Sequence, residues 1–389
     1  MPQPKQGLAS SPLVERARSL APQLEAAAVD IERDRRLPPH IIEALVNAGL
    51  FRMIVPRSLG GSEATLGECT EALEEIAKVD ASTAWCLGQN NGITWVSAYL
   101  RPESAREIFA PSTRLAWGQG TSSVGKVDGG YRVTGEWRFA SGIRHATWLG
   151  AHNSPLVQAD GRPELDSSGG ACRCTLLFPA GQAEIIDVWH VSGLRGTASD
   201  TYRVTDLFVP EKYAVLEVTR EPGTMYVLGT TNIFQAGFAS VALGIARGML
   251  DCLIDLSITK TPRGMSGVLR EQTTFQSQVG QAEAALSSAR AFLRQTIDEV
   301  WEDAGATRQF SLKQRVSLRL AATNAIKQAA QVVDTSYYLA GGSAIFVDNG
   351  FERRFRDMHA VTQQVQGRYD HFESVGKYLL GLEPDTQFL

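Results

Sequence analysis

The reading of one stretch decides the fold: GGYRVTGEWRFASGIRHATWLGAH, residues 129–152. Tyr131, Val133, Trp137 and Phe139 follow the alternation of a half-buried strand. The Val127-Asp-Gly-Gly130 run ahead of them is a hairpin turn signal. Ala140-Ser-Gly142 then interrupts the strand, and a second apolar run, Ala146–Ala151, follows. A strand broken by small residues can bring backbone N–H groups close to a flat ligand, because Gly142 tolerates dihedrals closed to other residues. The stretch therefore predicts strand, kink, strand.

On both sides the apolar period changes. Residues 1–110 read as helical, with a frayed start and then Leu13, Ala17, Leu20, Leu24 and Ala28 at helical spacing over Ser11–Arg35. Leu37-Pro-Pro39 ends that helix. His40–Ala48 forms the next and stops at Gly49. Phe51–Pro56 reads as an extended connector, and Leu66–Lys78 and Ser82–Leu100 as two further helices, the latter with Ser82 as N-cap. Residues 111–218 read as β-rich, with a small, polar loop at Gly193–Asp200 between shorter strands at 184–188, 202–204 and 207–209. Residues 219–389 return to helix: Phe234–Leu256, Thr274–Ala304, Ser311–Leu339 and a last one from Phe351. Gly237, Gly244 and Gly248 would let another helix approach the first of these closely. Helices, then strands, then helices describe an α+β protein of three domains, not an alternating α/β fold.

Composition excludes several functions. A net charge of −4 argues against a nucleic-acid or anionic-membrane partner, and no apolar run approaches a membrane span. The first twenty residues lack a signal-peptide core, and five scattered cysteines suit a reducing compartment, so a cytoplasmic protein is expected. Cys172 and Cys174 have no further ligands nearby, and the six histidines show no metal-binding spacing, so no metal site is expected. A GxGxxG opening a helix, a P-loop and a G-x-S-x-G elbow are all missing. Two features stand out instead. Asn90, Asn91 and Gly92 are poor helix formers inside AWCLGQNNGITW, residues 84–95; their polar groups face either a cavity or another helix. His145, beside the kink, is the histidine best placed for chemistry.

Taken together, these segments resemble the acyl-CoA dehydrogenase superfamily over nearly the whole chain. Trp137-x-Phe139-x-Ser141-Gly142 resembles the flavin-facing strand of its monooxygenase branch, and Gly193-x-Arg195-Gly-Thr197, leading to Val209-Pro210, resembles the loop before the closing strand. GLFRMIVPRSLGG (49–61), Asp80–Trp85, Leu339–Ser343 and Phe355–His359 resemble further family passages. The resemblance implies a helical N-terminal domain, a middle β-barrel-like domain and a C-terminal four-helix bundle, assembled as a homotetramer or dimer. It implies that the helix bearing Asn90, Asn91 and Trp95 borders the substrate pocket. Gly341 and Gly342 would receive the phosphate or adenosine end of a neighbouring subunit's flavin, and Arg263 would contact phosphate.

The branch turns on a carboxylate. Dehydrogenases of the family use a glutamate about nine residues after the Arg-Asp, and here that count from Arg356 reaches Val365, within Thr362-Gln-Gln-Val-Gln-Gly367. The monooxygenase branch is therefore expected: an oxygenase component that takes reduced FAD or FMN from a separate NAD(P)H:flavin reductase. With O₂ it forms a C4a-hydroperoxide and hydroxylates a small aromatic. The resemblance places Ser141 and Gly142 at flavin N5 and Trp117 and Phe139 as shields of the ring. Gln364 stands where phenol-hydroxylating relatives often carry a histidine, which opens the substrate range to rings such as indole that need no deprotonation. The alternatives are an acyl-CoA dehydrogenase with a displaced base and a flavin-free binding subunit.

Overall fold

The first expected helix is two in the computed structural model, which describes residues 11–158, 160–167, 169–219 and 221–389; the expectation of a frayed start falls on residues 1–10, outside that description. Helices α1 (Pro12–Ser19) and α2 (Ala21–Asp34) part at Leu20, because Pro22 fits the first turn of a helix and not its interior. Helix α3 (Pro39–Asn47) follows. The expected extended connector after it is instead a 3-10 turn at Leu50–Arg52 and a series of bends. Arg52 pulls the chain inward there by donating to the carbonyls of Phe109 and Ala110 at 2.5 and 2.8 Å.

Helix α4 (Leu66–Ala77) opens on a Thr65/Glu68 capping box. Helix α5 (Ala81–Thr94) is capped by Asp80, not Ser82: the Thr83 N–H donates to the Asp80 carboxylate at 2.7 Å. It ends at Thr94 and tightens into a 3-10 turn, Trp95–Tyr99, before α6 (Pro102–Ile108).

Seven strands follow: β1 (Leu115–Ala116), β2 (Gln119–Val127), β3 (Gly130–Arg138), β4 (Trp148–Val157), β5 (Arg173–Pro179), β6 (Glu184–Ile186) and β7 (Thr201–Pro210). They pair in the order β1-β4-β2-β3-β7-β6, with β5 on β4. The hairpin closes at Val127 and Gly130 as the sequence predicts, and the strand–kink–strand reading is met by β3 and β4. Trp137 and Tyr202 are neighbours across β3 and β7, both fully buried, with ring centroids 5.1 Å apart. The two short strands expected at 202–204 and 207–209 are one, β7. It is bent at Asp206, where φ is +49° and the register against β3 shifts.

The C-terminal region is α7 (Thr230–Thr259), α8 (Thr273–Thr307), α9 (Leu312–Ala340), α10 (Phe351–Thr362) and α11 (Asp370–Leu379). Two glycines of α7 act as expected. A Cβ at Gly244 would lie 2.4 Å from the Glu74 carbonyl oxygen, and one at Gly248 would lie 2.2 Å from that of Lys78, so α4 crosses α7 backbone to backbone. Helix α10 ties the three regions together. Arg353 pairs with Asp80 at 3.0 Å, Arg354 donates to the Lys78 carbonyl, and Arg356 pairs with Glu32 at 2.7 Å. The buried carboxylate of Asp357 accepts the Leu194 N–H at 2.6 Å.

Candidate active site

The kink between β3 and β4 is pinned to the loop before β7. Phe139 takes the left-handed region at φ +59°, and Gly142 at +80°. The Ala140 N–H donates to the Asp200 carbonyl at 3.2 Å and the Gly142 N–H to the Thr197 carbonyl at 2.7 Å. A Cβ at Gly142 would meet His145 Nε2 at 2.9 Å, so the histidine ring lies over that glycine. The loop carries strain of its own, with Leu194 and Ala198 at φ +52° and +44°. It is clamped by Asp200, whose carboxylate takes the N–H groups of Val188 and Trp189, both at 3.1 Å, and the Arg144 guanidinium at 2.7 Å. Asp187 receives both Arg35 and Arg144, and those guanidinium groups, Arg35 first, hold its carboxyl down at about 2.

This clamp brings together hydroxyls from distant parts of the chain. Ser141 Oγ lies 2.7 Å from Ser199 Oγ, and Ser199 Oγ lies 2.8 Å from Thr197 Oγ1. Trp85 Nε1 of α5 donates to Ser141 at 3.1 Å. The Trp85 ring stacks on Phe238 of α7 at 3.9 Å, so N-terminal, β and C-terminal regions all meet at this serine. Cys86 lies beneath it, its thiol 3.9 Å from the Thr197 carbonyl, with burial pushing its pKa well up. Trp85, Thr197 and Ser199 belong to runs the sequence marks for other reasons; nothing local in the sequence shows that they converge on Ser141.

The other expected site residues fall into three groups. Phe139 is 67 % exposed, with the Trp189 ring nearly perpendicular to it and the centroids 6.0 Å apart, leaving an apolar face that a flat heteroaromatic ring could cover. Trp117, expected beside it as a shield, is 4 % exposed and stacks face to face on His152 at 4.1 Å. The ring, in the connection between β1 and β2, is core, packed on His152 and against Gly150, and offers no free face.

Asn90 and Asn91 need a second correction. The Asn90 amide donates to the Phe51 carbonyl and accepts the Leu115 N–H; the Asn91 amide donates to Leu50 and Leu87 carbonyls and accepts the Met53 N–H. Both are buried and both hold backbone that lacks a regular partner, so they shape the wall without presenting a polar group to a cavity. Trp95 differs: it is half-buried and its buried indole N–H has no partner among the described residues. It belongs to the same apolar cluster as Phe234.

Arg263, Gly341 and Gly342 are exposed and lie at the far end of the bundle. Lys260 joins them, donating to Ala340 O and Ser343 Oγ. From Phe238, beside Trp85, to Lys260 the rise of α7 amounts to roughly 30 Å. One chain therefore separates the kink from the glycine turn. Gln364 sits after α10, its side-chain oxygen accepting the Gln366 N–H at 2.7 Å, with no carboxylate in that turn.

Burial and the nearby Arg114 charge lower the pKa of His145 to about 3. The ring is thus neutral at physiological pH and cannot serve as an imidazolium acid. Its ring ¹⁵N shifts are expected to stay constant from pH 5 to 8; a titration midpoint near 6.5 would contradict the geometry.

The donor set at the kink fits a flavin: an exposed aromatic face, a serine with an open lone pair and a glycine that lets backbone approach. Comparison with known proteins agrees. The family model "Acyl-CoA dehydrogenase, N-terminal domain" matches residues 13–111, and "Acyl-CoA dehydrogenase, C-terminal domain" matches residues 236–367. The chain is 29% identical, over 100% of its length and 98% of the relative's, to the FADH₂-dependent resorcinol hydroxylase, oxygenase component, of a Rhizobium species. It is 28% identical to indole-3-acetate monooxygenase of Pseudomonas putida, covering 92% of this chain and 91% of the relative. Among solved structures, XiaF from a Streptomyces species in complex with FADH₂ and glycerol superposes with a TM-score of 0.88 at 23% identity, over 97% of each chain. The chain belongs to the acyl-CoA dehydrogenase superfamily, among relatives that are oxygenase components of flavin-dependent monooxygenases.

Proposed function

We propose that the protein is the oxygenase component of a two-component monooxygenase, which receives reduced FAD or FMN from a separate NAD(P)H:flavin reductase and hydroxylates a small, electron-rich aromatic of the indole kind. The observation that carries this reading is the turn after α10, where the position of a thioester dehydrogenase's base holds Val365 and the neighbouring Gln364 is an amide engaged with its own backbone. When bound, reduced flavin supplies two electrons and, with O₂, the oxygen atom that is transferred.

The chain's residues position that chemistry and keep it dry. Phe139 and Trp189 supply the apolar cover beside the kink. Ser141, 5 % exposed, supplies a polar contact at N5 in a place where water does not compete. Trp95, with its unpartnered N–H, and Phe234 line the aromatic wall for the substrate. A neutral His145 and an amide at Gln364 leave no strong base, which suits a ring that needs no deprotonation.

The distance between the kink and the Arg263–Gly341–Gly342 end supports assembly as a homotetramer or dimer, in which one chain's glycine turn serves a neighbour's flavin. Ile345, Phe346 and Val347, 64 %, 60 % and 78 % exposed beside that turn, supply apolar surface for such a contact. No helix among the described residues is long and apolar enough to cross a membrane. We place the protein in the cytoplasm.

The test is isotopic. Protein loaded anaerobically with reduced flavin and mixed with ¹⁸O₂ and resorcinol or indole-3-acetate should yield a product carrying one ¹⁸O atom. Unlabelled product, or bleaching of bound oxidised flavin by an acyl-CoA, would overturn the reading. Ser141→Ala should retain flavin and release several-fold more hydrogen peroxide per turnover, measured by peroxidase-coupled assay. Unchanged coupling would remove Ser141 from N5.

A further inference from the structure

The hydroxyls at the kink form a line whose direction is set at both ends. At one end the Trp85 indole N–H can only donate, and at the other the Leu194 carbonyl can only accept. Between them stand Ser141, Ser199 and Thr197, each with a single hydroxyl proton, joined by contacts of 3.1, 2.7, 2.8 and 2.8 Å. Only one arrangement satisfies all four contacts: Trp85 donates to Ser141, Ser141 to Ser199, Ser199 to Thr197, and Thr197 to Leu194. Any other assignment leaves two protons, or two lone pairs, facing each other. The three hydroxyl residues are 5 %, 2 % and 1 % exposed, so water is not at hand to repair a reversed link.

The acceptor end is itself held. The Leu194 carbonyl also takes the Trp189 indole N–H at 3.0 Å and the Thr197 N–H at 3.2 Å, so its oxygen is held toward the line. Ser141 therefore directs its proton toward Ser199, and only a lone pair remains for a ligand. N5 of a reduced flavin bears a hydrogen and donates. N5 of an oxidised flavin bears a lone pair, which would face another.

We propose that Trp85, Ser199 and Thr197 are positioning residues that hold Ser141 as an obligate acceptor, so that the site selects reduced over oxidised flavin through N5. This selection rests on the placement of Ser141 at N5 given above. It gives a two-component enzyme a physical means of taking the reduced form from its reductase and letting the oxidised form go.

The experiment is a pair of binding titrations, reduced FAD under anaerobic conditions and oxidised FAD, on the full chain. The wild-type protein should bind reduced FAD more tightly. In Thr197→Val the line loses its last hydroxyl, Ser199 can turn to donate to Ser141, and Ser141 can turn its proton toward N5. In Ser199→Ala the same release occurs one link earlier. Each variant should lower the ratio of oxidised to reduced dissociation constants by about tenfold, the order of one hydrogen bond. That ratio corresponds to a fall of roughly 30 mV in the two-electron potential of the bound flavin. Thr197→Ser, which restores the hydroxyl, should restore the ratio, a recovery that mere loss of packing would not produce.

Equal preference in wild type and both variants, or failure of Thr197→Ser to restore it, overturns the selection while leaving flavin binding and the oxygenase reading intact. A wild-type chain that binds neither form overturns both.

Discussion

Asp200→Ala is expected to lower the free energy of unfolding by about 3–5 kcal/mol, the cost of removing one partner from a buried ion pair. The Asp200 side chain is fully buried, and it meets the Arg144 guanidinium at 2.7 Å. Arg144 keeps Asp187 as a second partner at 2.9 Å, which moderates the loss of charge balance. The N–H groups of Val188 and Trp189 have no such reserve, since both lean on the carboxylate that alanine removes. Asp200→Asn should cost less, about 1–2 kcal/mol, because an amide oxygen can still receive both N–H groups. Urea unfolding monitored by tryptophan fluorescence separates the two. An alanine variant within 1 kcal/mol of wild type would show that the loop does not depend on this clamp.

The second large effect is a pH dependence of unusual sign. Burial raises the pKa of Asp357 to about 7, outweighing the Leu194 N–H and the Arg353 charge that favour its ionised form. Between about pH 4 and 7 the native protein holds a proton there that the unfolded chain has already released. Stability from this group is therefore greatest at the acid side, falls as pH rises toward 7, and is level above. The full span is roughly 4 kcal/mol. Other carboxylates run the opposite way, so the informative quantity is the difference between wild type and Asp357→Asn, whose amide oxygen can keep the Leu194 contact. From pH 5 to 8 the asparagine variant should gain about 2–3 kcal/mol relative to wild type. A difference that stays constant across that range would mean that Asp357 is ionised throughout.

Much of the architecture could be read from periodicity. The alternation up to Phe139 and the small residues at 140–142 marked β3, the kink and β4, because a two-residue period and a run without side-chain bulk are local properties. What failed was non-local. Asp80 and Ser82 are both competent caps; the choice of Asp80 goes with Arg353, 273 residues away, which needs that carboxylate as its partner. The sequence leaves the amides of Asn90 and Asn91 open between a cavity and a neighbouring helix because the backbone they hold, at Leu50, Phe51, Met53 and Leu115, lies far off in the sequence. A motif points Trp117 at the flavin, whereas its ring is taken up by His152 of β4, a contact that no local pattern shows. Ser141 was visible as a motif residue, but its hydroxyl's direction depends on Ser199, 58 residues later, and no local pattern carries that information.

Cys86 bears on how long such an enzyme lasts in air. With flavin at the kink as proposed, peroxide escaping from an uncoupled cycle would be released close to this sulfur, which lies under the kink beside Gly142 and Thr197. Oxidative damage begins with a thiolate, and burial keeps Cys86 in its unreactive thiol form. The nearest cysteine is thus sheltered from the oxidant the site can leak. Of the partly exposed thiols, burial pushes Cys174 up to about 12, so wear should begin at Cys172 and Cys252, and mass spectrometry of protein aged under turnover should find sulfinic acid there while Cys86 remains unmodified.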